Sequence, residues 1–99
     1  MSATEQQPQH TILVVDDERV VCNAIARQLQ NAGYSVHVAF NGTDAIDLLK
    51  GTNIDLALID IRMPKISGFD VLKHIQEHAP ATKTIMMTAY ADIKSAIDS

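Results

Sequence analysis

Thr11-Ile-Leu-Val-Val15 runs directly into Asp16-Asp17-Glu18, and a segment of helical period follows as far as Ala32. The first five residues are largely β-branched and apolar without interruption, as in a strand covered on both faces. Beyond the acids, Val21, Cys22, Ile25, Leu29 and Ala32 recur as one apolar stripe, with Arg19, Asn23, Arg27 and Gln30 opposite. Gly33 stands where a left-handed cap would end the helix. A buried strand feeding an amphipathic helix is one βα unit, and the rest of the chain repeats that unit.

Ser35 to Ala39 reads as a second strand, and Asn41-Gly42-Thr43 turns into a short helix through Lys50 that Gly51 stops. Ile54 to Ile59 reads as a third strand ending on Asp60. Pro64 and Gly68 mark an irregular loop, and Ser67-Gly-Phe-Asp70 has the spacing of a capping box opening a helix through Ala79. Pro80 blocks its continuation. Thr84 to Thr88 is a fourth strand, and Asp92 begins a last helix. Strand and helix alternating at this spacing imply an α/β fold, a parallel sheet with helices on both faces. In such sheets the functional crevice lies at the carboxyl ends of the strands, which here carry Asp16, Asp17, Asp60 and Thr88.

The chain of 99 residues has room for one domain, and 46% apolar against 20% charged residues is a globular composition. Its net charge of −4 argues against an electrostatic grip on nucleic acid. A single cysteine, Cys22, excludes an internal disulfide and fits a reducing compartment. Met1 to His10 is polar, without the basic start or apolar run of a targeting segment, and no stretch has the length of a membrane span. The expectation is a soluble, cytoplasmic protein.

If the first and third strands are neighbours, three carboxylates meet in one pocket. At ~5 Å and an effective dielectric near 20, each like-charge pair costs about 3 kcal/mol. Such a cluster either titrates as a coupled set or binds a cation, and oxygen-only ligands point to Mg²⁺. An Asp beside Mg²⁺ can attack phosphorus and form an aspartyl phosphate, with the Thr88 hydroxyl offered to a phosphoryl oxygen. Each residue also has a plainer reading: Asp16-Asp17-Glu18 as a helix N-terminus, Asp60 as a turn residue, Thr88 as a strand residue. Their joint placement at strand ends favours the site.

These residues resemble the receiver domain of bacterial two-component response regulators. The resemblance runs from about His10 to the final residue through Val15-Asp16-Asp17-Glu18, Leu58-Ile-Asp60-Ile-Arg-Met-Pro64-Lys-Ile-Ser-Gly68 and Met87-Thr88-Ala89-Tyr90. It implies a flavodoxin-like doubly wound sheet of strand order 2-1-3-4. It further implies that Asp60 accepts a phosphoryl group from a sensor histidine kinase. Mg²⁺ would be held by Asp17, Asp60 and the backbone carbonyl of Arg62, with Asp16 acting through water. Thr88 would hydrogen-bond the phosphoryl group and move with it, Ala89 would leave access, and Arg62 and Tyr90 would tune phosphoryl lifetime. The protein would be a switch for an output domain, which the Thr88-Ala-Tyr-Ala-Asp-Ile93 stretch associates with the nitrogen-regulator class of transcription activators.

Family members continue into a fifth strand bearing a Lys-Pro pair and a fifth helix, whereas this sequence ends eleven residues after Thr88. The expectation is therefore a polar tail over 1–10 and a receiver domain over 11–99 that lacks both elements. An open fourth-strand edge would favour self-association, and a non-switching, self-associating fragment is the alternative function. An aspartate-nucleophile phosphatase of the haloacid dehalogenase type fits poorly, because Arg62 stands where such enzymes place a second Asp. His74-Ile-Gln-Glu77-His78 has the spelling of an inverted zinc-peptidase motif, but no distal carboxylate context supports a zinc site, and His78 in the last turn suits the helix dipole. Walker A and GxGxxG sequences are absent.

Overall fold

The computed structural model describes residues 10–63 and 65–87. Four strands and three helices alternate: β1 (Thr11–Val15), α1 (Arg19–Asn31), β2 (Ser35–Ala39), α2 (Gly42–Gly51), β3 (Leu56–Asp60), α3 (Gly68–His78) and β4 (Lys83–Met87). All strand pairs are parallel, in the order β2-β1-β3-β4. This is the flavodoxin-like order that the resemblance implied. β1 is central because it is the most completely apolar strand, and Ile12 through Val15 are buried.

The pleat of the strands sorts the core into two clusters. Leu13, Val15, Ala57 and Ile59 face one side with Ala45 and Leu49 of α2 and Val71 and Ile75 of α3. Ile12 and Val14 face the other, with Cys22, Ile25 and Leu29 of α1. Each fully buried Leu or Ile contributes roughly 1.5–3 kcal/mol, so Leu13, Ile59 and Ile75 anchor the first layer.

Element ends differ slightly from the sequence expectation. β3 starts at Leu56 rather than Ile54, because Ile54 is a buried loop residue whose carbonyl accepts the Thr82 hydroxyl at 2.6 Å. β4 starts one residue early, at Lys83. The stripe of α1 is Cys22, Ile25, Ala26 and Leu29, spaced i, i+3, i+4 and i+7, while Val21 and Ala32 lie outside it and are exposed. Gly33 has φ +101°, the left-handed conformation expected at that position. The helix expected from Asp92 lies outside the described residues.

Candidate functional site

Asp16 leaves β1 and Asp60 ends β3, and the pairing of Val15 with Ile59 brings these two strand ends side by side. Carboxylate oxygens of Asp16, Asp17 and Asp60 all lie within 4.8 Å of one another. Asp16 and Asp60 are buried, at 8% and 5% exposure, while Asp17 is exposed, so the cluster opens to solvent on one side. The convergence expected from the sequence is therefore present.

The two buried acids are held by the same local device. Asp16 Oδ1 accepts the Glu18 N–H at 2.9 Å, and Asp60 Oδ1 accepts the Arg62 N–H at 3.1 Å. In each case a strand-end carboxylate bonds the backbone two residues on, the geometry of an Asx turn. The Asp16 N–H also donates to Ala39 O at 3.1 Å, which ties the site to the end of β2. The plainer reading of Asp16-Asp17-Glu18 as a helix N-terminus holds for position and not for side-chain capping. The N-cap residue of α1 is Glu18, its side chain makes no capping bond, and the first turn carries no acid.

The loop after Asp60 is shaped by close backbone approach. A Cβ on Gly68 would meet the Asp60 carbonyl oxygen, and would stand 2.9 Å from Ile61 Cα. Only a glycine lets the start of α3 come this near to β3. Gly68 N–H donates to Ile61 O at 3.2 Å, and Ile61 N–H to Met87 O at 2.9 Å. Lys65, in the same loop, has φ +66°. Sequence reading marked Gly68 as a loop former; the contact with Asp60 could not be found without the fold.

Burial pushes the Asp60 carboxyl up to about 6; the Arg62 N–H opposes this, and the Asp16 and Asp17 charges add to the rise. Above that value Asp60 is an anion beside other carboxylates, an arrangement relieved by a cation. Oxygens opposite one another across Mg²⁺ stand about 4.2 Å apart, twice its usual bond length. Adjacent oxygens on the same ion stand about 2.9 Å apart, so this all-oxygen donor set fits Mg²⁺ once the side chains rotate inward, with water in the remaining positions. Cys22 is excluded from such chemistry, since burial and then the Asp16 charge push its thiol up to about 11. Asp60 pairs in register with Met87, so the end of β4 lies beside the site. Thr88, Ala89, Tyr90 and Pro64 themselves lie outside the described residues. Among the described residues, no helix is long and apolar enough to cross a membrane.

Known proteins resemble this chain in both sequence and fold. It is 38% identical to regulatory protein AtoC of Escherichia coli over 88 residues, covering 89% of this chain and 19% of AtoC. It is 42% identical over 78 residues to transcriptional regulatory protein DltR of Streptococcus agalactiae, covering 79% of this chain and 35% of DltR. The chain thus spans between about a fifth and a third of these relatives. Among solved structures, the response regulator TrrA of Thermotoga maritima, in complex with Mg²⁺-BeF, matches with a TM-score of 0.78 and 37% identity, over 92% of this chain and 79% of that one. A second structure, of TrrA with the histidine kinase ThkA, matches with a TM-score of 0.76 and 39% identity, over 83% of this chain and 71% of the other. The family described as the response regulator receiver domain matches residues 12–99. On that match, the shared strand order and the acidic cluster at its expected place, the chain belongs to the response regulator receiver domain family.

Proposed function

We propose that Asp60 is the phosphoacceptor of a Mg²⁺-dependent signalling switch. The observation that carries this reading is the meeting of Asp16, Asp17 and Asp60 within 4.8 Å, with Asp60 buried and anchored by the Arg62 N–H. That hydrogen bond restrains the carboxylate, so less orientational freedom is lost when a donor arrives. An Asp60 oxygen bonds to phosphorus as the P–N bond of a phosphohistidine breaks. The departing imidazole keeps the electron pair and takes up a proton, and a mixed anhydride remains on Asp60. Mg²⁺ held by Asp17, Asp60 and the Arg62 carbonyl, with Asp16 acting through water, would offset charge on the phosphoryl oxygens.

Thr88 is assigned the hydrogen bond to the phosphoryl group, and Ala89, Tyr90 and Arg62 the control of access and lifetime; these roles rest on sequence position. The domain is taken as 11–99 behind a tail over 1–10. It acts as a switch rather than a turnover enzyme, in the cytoplasm, with a sensor histidine kinase as donor and an output domain as target. The kinase complex of TrrA and the transcriptional regulators among the relatives support those partners.

Incubation with Mg²⁺ and a small phosphodonor, read by intact mass, tests the proposal. One added phosphoryl group is expected in the wild type and none in Asp60→Asn. An unmodified wild type, or an adduct that survives in the variant, contradicts it.

A further inference from the structure

We propose that His74 and His78 on α3 form a two-nitrogen chelating site for a borderline transition-metal dication, such as Ni²⁺ or Cu²⁺, separate from the carboxylate site. Residues four apart lie on one helix face, and here the two imidazole rings stand 4.7 Å apart between centroids, tilted by 36°. At that separation, small ring rotations bring one nitrogen from each ring to a shared ion. Neither ring is engaged in a hydrogen bond among the described residues. Glu77 lies on the same face and its charge acts on His74; Lys50 of α2 also faces His74 and opposes a cation, but it is exposed and free to turn outward.

The helix that carries the pair is preorganised. The capping box of Ser67 and Asp70 fixes the start of α3, and buried Val71 and Ile75 hold its inner face against the sheet. A bound ion therefore orders the two imidazole side chains but not the backbone beneath them. From Gly68, where α3 begins beside Asp60, His74 and His78 lie roughly 9 and 15 Å further along the axis. The two sites also differ in ligand preference, because imidazole suits Ni²⁺, Cu²⁺ and Zn²⁺ while carboxylate and water suit Mg²⁺. Among the described residues the only cluster of three or more metal-ligating side chains is the acidic one. Water would therefore complete the coordination at the histidine pair, and the zinc-peptidase spelling of this segment carries no peptidase site.

The test is a Ni²⁺ titration at pH 7.5, above the ordinary imidazole range, with excess Mg²⁺ present to occupy the carboxylates. Binding is followed by calorimetry and by the histidine ring signals in two-dimensional NMR. One saturable equivalent is expected, with the His74 and His78 signals broadened first. His74→Gln and His78→Gln should each weaken binding by at least about tenfold through loss of the chelate, while His10→Gln and His37→Gln leave it unchanged. Ni²⁺ should raise the melting temperature of the wild type and not of the double variant. Gln is a good helix former, and His78 is exposed, so His78→Gln carries the test even if position 74 proves sensitive. Wild-type affinity in either single variant, loss of binding in the His10 or His37 variant, or no saturable binding would overturn the proposal.

Discussion

At the scale of single residues, Asp60 makes stability depend on pH. Its carboxyl is raised in the folded chain, from an ordinary 3.8 to about 6, chiefly by burial. Between those values the folded state holds a proton that the unfolded state has released, so stability falls as pH rises through the window. The loss is complete above about pH 6 and is on the order of 3 kcal/mol for this group. In metal-free buffer, urea melts should show wild type and Asp60→Asn close in stability at pH 4 and the variant more stable at pH 7.5. Equal stability of the two proteins at pH 7.5 would contradict that account. Gly68 is the second decisive residue. Gly68→Ala places a methyl group against the Asp60 carbonyl and Ile61, neither of which can yield as a side chain would. A loss of about 1–3 kcal/mol is expected in thermal or urea melts, together with weaker phosphorylation. Of these two residues, Asp60 was legible in the sequence because a strand end reveals where its side chain emerges. The role of Gly68 was not, since close approach to β3 is a property of the assembled loop.

At the scale of elements, the three helices start in different ways. Asn41 Oδ1 accepts the Asp44 N–H at 2.8 Å, and Ser67 and Asp70 form a reciprocal capping box. Glu18 opens α1 with no side-chain cap. Asn41→Ala and Ser67→Ala should each lower stability by about 1 kcal/mol, and Glu18→Ala should leave it nearly unchanged, as read from thermal melts. A large loss in Glu18→Ala would mean that the acids after β1 serve the helix rather than the site. The capping box was readable because its spacing is local. The face of α1 was read less well: the periodicity included Val21, and the structure leaves it 37% exposed, because β1 and β2 pack against Cys22, Ile25 and Leu29. Hydropathy alone cannot choose between adjacent ridges 100° apart.

At the scale of the whole molecule, strand order does most of the work. Putting β1 between β2 and β3 brings together acids 44 residues apart in the chain, Asp16 and Asp60. That order came from the family resemblance rather than from hydropathy, which identifies strands but not neighbours. Among the described residues, β4 has no partner on its outer edge, and Ile85 on it is 51% exposed. The central claim concerns Asp60, and the most direct measurement locates the phosphoryl group itself. Protein treated with phosphodonor and Mg²⁺ is reduced with borohydride, which converts an aspartyl phosphate to homoserine, and is then digested and sequenced by mass spectrometry. The account predicts homoserine at position 60 alone; modification at any other residue, with Asp60 intact, would contradict it.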